Sequence, residues 1–139
     1  MIVTVTLNPS LDRTLAVSQL ARGEVIRADS TIEDPGGKGV NVTRFLTTRG
    51  SDSVAVLPVG GPIGRGLVGL LDEAGIPYRS IPIHGRTRAN VAVVEPDGTT
   101  TKLNEPGPEL AATEVDALVH AVAELVTADG WVVVAGSLP

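Results

Sequence analysis

Short apolar runs alternate along the chain with longer stretches in which apolar residues recur every three or four positions. Residues 2–7, 54–59 and 131–135 are short runs and predict strands. Residues 63–74 and 115–126 show the helical spacing and predict two amphipathic helices. Strands that alternate with helices are typical of an α/β fold with a parallel sheet. The continuous run 131–135 predicts a strand buried on both faces of that sheet.

Two pairs of segments interrupt this alternation. Residues 11–17 and 25–32 form the first pair. Residues 88–94 and 99–103 form the second, and the turn-forming residues 95–98 join them. Each pair predicts a β-hairpin rather than a crossover unit. We therefore expect a small antiparallel β lid laid on an α/β core.

The composition suits one domain. The chain has 139 residues, of which 42% are hydrophobic, so it has enough apolar residues for one core and too few residues for two full domains. We predict a single domain over residues 1–139, with lid segments at about 11–32 and 86–104. Aromatic residues make up only 2% of the chain and the net charge is −5, which argues against nucleic acid as a partner.

Three further classes are disfavoured by the sequence. The chain has no cysteine, and its histidines, His84 and His120, lack the spacing of metal ligands, so we expect no metal site and no thiolate chemistry. No apolar run reaches the length of a membrane span, and Met1 leads directly into a strand-like run without a basic segment or cleavage site. We therefore expect a cytoplasmic protein without a membrane partner.

The segment 34–42 contains three glycines around Lys38 and precedes the helix-like residues 43–49. Glycines let backbone N–H groups approach an anion, and a helix N-terminus adds positive potential. Lys38 and Lys102 are the only lysines of a chain that otherwise uses arginine, which favours a specific role for a compact ammonium group. The segment predicts either a site for sugar or phosphate oxygens or a tight turn with a solvated lysine.

Residues 64–69 offer a rival interpretation, because they match the dinucleotide-binding pattern Gly-x-Gly-x-x-Gly between a strand and a helix. However, residues 60–62 separate this pattern from the strand. The acidic residue that would hold a ribose about twenty positions later is absent, since Arg86 and Arg88 lie there. Dinucleotide binding is therefore the less favoured alternative.

Taken together, the motifs resemble the ribokinase-like (PfkB) carbohydrate kinases. Residues 36–43 are similar in type and spacing to the first signature of that family. Residues 6–12, 86–91 and 135–139 resemble its 1-phosphofructokinase and tagatose-6-phosphate kinase branch. The resemblance extends from residue 4 to the end of the chain and corresponds to the N-terminal portion of the family. It implies a ribokinase-like fold, a partial parallel sheet flanked by helices with a small antiparallel lid.

The resemblance also implies a set of substrate-binding residues: Asp12, Arg27, Gly36, Gly37, Lys38, Asn41, Arg88 and Ser137. Asp12 and Asn41 would bind sugar hydroxyls. Lys38 and Arg88 would hold the phosphate already on the sugar, and Arg27 could assist. The two glycines would supply backbone contacts, and the serine would close the pocket. For Asp12, local chemistry leaves open a purely structural role as a turn residue that bonds its own backbone. For Arg88 it leaves open a solvated position on a strand edge.

The implied reaction is phosphorylation of fructose 1-phosphate by Mg-ATP to fructose 1,6-bisphosphate, with tagatose 6-phosphate or fructose 6-phosphate as alternative substrates. The family's catalytic aspartate lies in a Gly-x-Gly-Asp motif after the position of Ser137, and residues 1–139 contain no such motif. We therefore expect no catalytic residue here, most of the ATP and Mg²⁺ contacts elsewhere, and an inactive chain when isolated. A second hypothesis is a non-catalytic sugar-phosphate-binding fragment that forms a homodimer through its lid strands.

Overall fold

Two four-stranded sheets and three helices make up the computed structural model, which describes residues 1–139. In chain order the elements are β1 (Ile2–Val5), β2 (Ser10–Ala16), β3 (Ser30–Gly36), α1 (Lys38–Thr48), β4 (Ser53–Val59), α2 (Gly61–Glu73), β5 (Tyr78–Pro82), β6 (Arg88–Val94), β7 (Thr100–Asn104), α3 (Ala112–Leu125) and β8 (Trp131–Val134). The predicted alternation of strands and helices is confirmed over most of the chain.

The larger sheet is parallel throughout and has the order β5-β4-β1-β8. Side chains along β4 alternate between the two faces of this sheet, so they pack into two separate hydrophobic clusters. Leu57 points to one face, where it packs with α1 and with Leu67 of α2. Val56 points to the other face and packs with Leu118 of α3. Each fully buried aliphatic side chain of this kind contributes about 1.5–3 kcal/mol.

Strand β5 was not predicted from the sequence. It pairs with β4 at the edge of the larger sheet and contains Arg79, Ser80 and a terminal Pro82. Polar residues and a proline are tolerated at an edge, because one side of the strand has no hydrogen-bonding partner. They also hide the apolar pattern by which a strand is recognised in a sequence.

The prediction that residues 131–135 are buried on both faces is wrong. Strand β8 is the other edge of the larger sheet and pairs only with β1. Trp131 is 72% exposed and Val134 is 64% exposed. The physical reason is that α3 covers only part of this edge. Between α3 and β8 lies an apolar groove of about 260 Å³, lined entirely by aliphatic residues: Val5, Leu7, Val115, Leu118, Val119, Val122, Val132 and Val134.

The smaller sheet has the order β3-β2-β6-β7 and contains both predicted hairpins, β2 with β3 and β6 with β7. The partner of β2 begins at Ser30, so the predicted segment 25–32 lies too early in the chain. The sheet is mixed rather than wholly antiparallel, because β2 and β6 pair in parallel and join the two hairpins. This pairing sets Asp12 opposite Asn90.

Strand β3 continues into the glycine-rich segment and ends at Gly36, opposite Ser10. A side chain at position 36 would collide with Ser10 Oγ and lie 2.5 Å from Asp12 Cγ. Glycine is therefore favoured here, because a Cβ atom would displace the side chains of Ser10 and Asp12. The segment places the end of the smaller sheet directly against the start of α1. No helix of the structure is long and apolar enough to cross a membrane.

Candidate functional site

A polar cavity of about 400 Å³ lies where the smaller sheet meets the N-terminus of α1. No hydrophobic residue lines it; the lining residues are Asn8, Ser10, Asp12, Gly37, Lys38, Asn41, Arg88, Asn90, Asn104, Gly136 and Ser137. Two cations and one carboxylate therefore face the same space in a chain whose net charge is −5. Such a lining suits a small ligand that carries both an anionic group and hydroxyl groups.

Six of the eight substrate-binding residues predicted from the sequence line this polar cavity: Asp12, Gly37, Lys38, Asn41, Arg88 and Ser137. Gly36 lies directly behind it in β3. Arg27 is exposed in the loop between β2 and β3 and does not line the cavity. The residues come together although they are spread from position 12 to position 137.

The N-terminus of α1 is built from the glycine-rich segment. Gly37 precedes the helix with φ +128°, in the region that favours glycine, and lets the chain turn from β3 into α1. The Val40 amide donates to Thr6 Oγ1 at 3.1 Å, which holds the helix start against β1. The amides of Lys38 and Gly39 donate to no acceptor within the chain. The positive end of the helix dipole therefore adds to the charge of the Lys38 side chain.

Asp12 is held by its neighbours on the smaller sheet. Its Oδ1 accepts hydrogen bonds from Ser10 Oγ at 2.6 Å and from Asn90 Nδ2 at 2.9 Å. Its carboxylate accepts no backbone N–H, so the alternative of a turn residue that bonds its own backbone is not what the structure contains. Oδ2 makes no hydrogen bond within the chain, which leaves it available to a ligand.

The Arg88 guanidinium is oriented by two backbone carbonyls. Nη1 donates to the Glu105 carbonyl at 3.0 Å and Nη2 donates to the Asn8 carbonyl at 3.2 Å. Nε is buried and has no partner. Since carbonyls carry no net charge, the arginine keeps its full positive charge for the cavity.

Buried polar atoms without partners are concentrated at this site. They include Asn8 Oδ1, Arg88 Nε and Asn90 Oδ1. Because most buried polar groups in folded proteins are hydrogen-bonded, such a concentration points to a bound polar ligand or to ordered water. Asn8 and Asn90 were not predicted as site residues from the sequence. Asn90 could have been found, because it lies two residues after Arg88 and therefore on the same face of β6.

A second cavity of about 240 Å³ continues along the open face of the smaller sheet. It shares Asp12, Asn90 and Asn104 with the polar cavity and adds Lys102. Each lysine of the chain therefore lines a cavity that Asp12 also lines. Strands β2, β6 and β7 supply every residue that lines this second cavity.

The dinucleotide pattern at residues 64–69 lies inside α2, which begins at Gly61. The backbone there is helical, so the glycines do not form the strand-to-helix turn that would approach a pyrophosphate. This rival interpretation is wrong for that reason. It matched the spacing of the residues but not the backbone conformation that the spacing requires.

Glu114 at the start of α3 holds the loop that leads into β6. Its carboxylate accepts from the His84 amide at 2.7 Å and from the Ala111 amide at 2.8 Å. These hydrogen bonds, that from His84 first, lower the pKa of Glu114 below its ordinary value. No group of three or more His, Cys, Asp or Glu side chains in the structure could hold a metal ion.

The model of the pfkB family of carbohydrate kinases matches residues 5–139. The chain is 38% identical over 141 residues to the ATP-dependent 6-phosphofructokinase isozyme 2 of Mycobacterium tuberculosis, covering 99% of the chain and 41% of that protein. It is 37% identical over 142 residues to the 1-phosphofructokinase of Xanthomonas campestris pv. campestris, covering 99% of the chain and 43% of that protein. The chain thus spans less than half the length of these curated relatives.

Solved structures show the same architecture. Phosphofructokinase-2 from Escherichia coli in complex with fructose-6-phosphate superposes with a TM-score of 0.92 at 32% identity, over 99% of the chain and 46% of that protein. A possible 1-phosphofructokinase from Thermotoga maritima superposes with a TM-score of 0.84 at 32% identity, over 99% of the chain and 45% of that protein. A putative ribokinase from Agrobacterium tumefaciens superposes with a TM-score of 0.65 at 18% identity, over 84% of the chain and 42% of that protein. This likeness concerns the fold alone. The predicted ribokinase-like α/β fold is confirmed.

Proposed function

Because the chain belongs to the pfkB family of carbohydrate kinases, we propose that its polar cavity binds the sugar phosphate that an ATP-dependent kinase phosphorylates. The observation that carries the proposal is the meeting of Lys38 and Arg88 with Asp12 in one cavity without hydrophobic residues. Cations recognise the phosphate of such a ligand, and carboxylate and amide groups recognise its hydroxyls. A sugar phosphate carries both a phosphate group and hydroxyl groups.

In this proposal Lys38 and Arg88 hold the phosphate. Lys38 combines a mobile ammonium group with the free backbone amides at the start of α1. Arg88 contributes a guanidinium whose direction is set by two carbonyls. A charge-assisted hydrogen bond from either residue contributes about 1.5–3 kcal/mol to binding.

The sugar hydroxyls are bound by Asp12 and Asn41. Asp12 Oδ2 is free to accept from a hydroxyl, because Ser10 and Asn90 donate to Oδ1. Asn41 Oδ1 accepts from Arg44 Nη2 at 3.0 Å, so its Nδ2 is the group left to donate to the ligand. Gly37 adds backbone contacts with support from Gly36 behind it, and Ser137 closes the cavity. Arg27 could assist only by movement of its loop, because it is exposed outside the cavity.

The substrate we propose is fructose 1-phosphate, with fructose 6-phosphate and tagatose 6-phosphate as alternatives. The C6 oxygen attacks the γ-phosphorus of ATP, the bond to the β,γ-bridging oxygen breaks, ADP leaves and the hydroxyl proton passes to a base. We assign no residue of this chain as that base. We also assign none to ATP or Mg²⁺, because the cavity's groups suit the acceptor sugar and no metal-ligating cluster is present. A kinase that consumes ATP fits the cytoplasmic location expected from the sequence.

Isothermal titration calorimetry tests the proposal. We expect the chain to bind fructose 1-phosphate, fructose 6-phosphate and tagatose 6-phosphate, with fructose 1-phosphate binding most tightly and unphosphorylated fructose at least about tenfold more weakly. Arg22→Ala is a matched control, because Arg22 is an exposed arginine outside the cavity. Equal affinity for fructose and its phosphates, or equal losses for Arg22→Ala and Arg88→Ala, would contradict the assignment.

A second candidate function is a binding module that assembles with copies of itself and is not catalytic alone. The apolar groove between α3 and β8 and the unpaired edge of β8 favour this candidate. An ATP-consumption assay separates the two functions when it is run with a longer polypeptide that carries a Gly-x-Gly-Asp motif, because only a kinase would then turn over fructose 1-phosphate. We expect no turnover of fructose 1-phosphate by the chain alone.

A further inference from the structure

Asn90 of β6 completes a small hydrogen-bond network beside the polar cavity. Its Nδ2 donates to Ser10 Oγ at 3.0 Å and to Asp12 Oδ1 at 2.9 Å, and Ser10 Oγ donates to the same Oδ1 at 2.6 Å. These directions are fixed, because an amide nitrogen only donates and an ionised carboxylate only accepts. Asp12 Oδ1 is therefore held by two donors, one of which belongs to Asn90 and the other to a serine that Asn90 also contacts.

The second oxygen of the same carboxylate is open to the cavity. Asp12 Oδ2 makes no hydrogen bond within the chain, yet it is not one of the buried polar atoms without a partner, so it keeps accessible surface. Asp12 lines both the polar cavity and the second cavity. A carboxylate held at one oxygen cannot rotate about its Cβ–Cγ bond without breaking both hydrogen bonds. The contacts to Oδ1 therefore determine where Oδ2 points.

Asn90 itself has no polar group left for a ligand, although it lines both cavities. Its two N–H groups are used by Ser10 and Asp12, and its Oδ1 is buried. It reaches Asp12 because the parallel pairing of β2 with β6 sets the two residues opposite each other. Any effect of Asn90 on a ligand must therefore pass through Asp12.

We propose that Asn90 is a positioning residue for hydroxyl recognition: its N–H groups hold Asp12 Oδ1, directly and through Ser10, so that Oδ2 meets a hydroxyl of the ligand. A group fixed in advance by its neighbours loses less conformational freedom when the ligand binds. Lys38 and Arg88 lie outside this network and act on the phosphate. The inference rests on the proposed function, because it requires a ligand with hydroxyl groups.

The first experiment compares fructose 1-phosphate with inorganic phosphate by calorimetry, for the wild-type chain and for Asn90→Ala. We expect about tenfold weaker binding of fructose 1-phosphate by the variant and unchanged binding of inorganic phosphate, within about twofold. The contacts that orient Arg88 do not involve Asn90, so charge recognition is retained. Thr101→Ala is the matched control and should change neither affinity, because Thr101 lies in the same sheet but lines neither cavity.

A double-mutant cycle separates positioning from an independent contribution. Asp12→Ala removes the carboxylate, so in that background Asn90→Ala has nothing left to orient. It should then weaken fructose 1-phosphate binding by no more than about twofold further. Independent effects would instead multiply to about a hundredfold loss in the double variant.

Asn90→Leu repeats both measurements with a side chain of similar size that has no donor, and melting temperatures report the fold of every variant. We expect Asn90→Leu to bind fructose 1-phosphate as weakly as Asn90→Ala does. If neither variant folds, Asn90 is needed for folding and the inference fails.

The remaining outcomes distinguish the inference from the proposed function. A wild-type chain that binds none of the ketohexose phosphates overturns both. If the wild type binds them, equal losses of fructose 1-phosphate and inorganic phosphate in Asn90→Ala overturn the inference alone, because general damage to the site would affect both ligands. Losses that multiply in the double-mutant cycle also overturn it alone.

Discussion

The two sheets of this chain differ in what their faces contact. The larger sheet carries helices on both faces, and its middle strand β4 buries Leu57 on one side and Val56 on the other. The smaller sheet buries one face, where Leu11 contacts α2, and turns the other toward the polar cavity with Asp12 and Asn90. The larger sheet therefore supplies most of the stability, and the smaller sheet supplies polar groups that we propose bind a ligand.

This difference teaches how residues of the same chain divide between folding and binding. Side chains that alternate along a strand face opposite environments, so one strand of the smaller sheet contributes to both tasks. In β2, Leu11 is 4% exposed and packs inward, whereas Asp12 is part of the cavity. Substitutions that change only one face of a sheet test this division between folding and binding.

The largest effect on stability is expected from Leu57→Ala. Leu57 has no exposed surface and lies in the core of the larger sheet, so its loss should lower the free energy of unfolding by about 2–5 kcal/mol. The matched control is Leu103→Ala in β7 of the smaller sheet, where the leucine is 64% exposed and the change should remain within about 0.5 kcal/mol. Urea unfolding measures both. Comparable losses at the two positions would remove the distinction between the sheets.

Lys38→Ala tests the binding side of the comparison. We expect it to weaken fructose 1-phosphate binding by about 1.5–3 kcal/mol and to leave the melting temperature unchanged, because Lys38 is exposed and makes no ion pair. Arg88→Ala should weaken the same ligand by a similar amount. In a longer polypeptide that also binds ATP, Lys38→Ala should leave ATP affinity nearly unchanged. Equal losses for both ligands would count against the assignment.

Asp12→Asn should damage sugar-phosphate binding and turnover while the fold is preserved. Asparagine keeps the size of the side chain but loses the charge that attracts hydroxyl donors, so we expect about tenfold weaker binding. Thermal unfolding checks the fold and calorimetry checks the binding. A collapse of the melting temperature would show that the carboxylate is needed mainly for the Ser10 and Asn90 hydrogen bonds.

The open edge of the larger sheet should make the isolated chain self-associate. Exposed Val119 and Val134 border the apolar groove, and β8 has an unpaired edge. Size-exclusion chromatography with light scattering should show species larger than a monomer. Val119→Asp should weaken association by about tenfold, because it introduces a charge into the apolar face. A clean monomer at high concentration in the wild type would contradict this prediction.

The smallest effect concerns Glu114 and pH. The pKa of Glu114 is lowered in the folded state from an ordinary value of 4.5. The Glu114 carboxylate therefore makes its full contribution to stability at pH values above 4.5. The contribution is lost as the pH falls through the lower folded-state pKa. We therefore expect Glu114→Gln to be less stable than the wild type at neutral pH, and the difference to shrink in acid. Melting temperatures between about pH 7 and about pH 3 measure it. Glu109→Gln, at an exposed position, should show no such trend.

Several features followed from the sequence alone, because they depend on residues close together in the chain. The spacing of apolar residues predicted α2 and α3, and turn residues predicted the hairpin of β6 and β7. The glycines around Lys38 predicted a helix start in this segment, and α1 begins at Lys38. In each case neighbouring residues determine the backbone conformation, and that conformation is all that the prediction required.

Other features were decided only by the tertiary structure, because they depend on which distant segments become neighbours. The parallel pairing of β2 with β6 brings Asn90 to Asp12 across 78 positions, and no local pattern specifies that partner. Position in the sheet made β8 an exposed edge although its aliphatic run is typical of a buried strand. Asn8 reads locally as a turn residue, yet it is buried because loops from two distant parts of the chain close over it. Long-range packing, unlike helix or turn formation, is not encoded within a short window of residues.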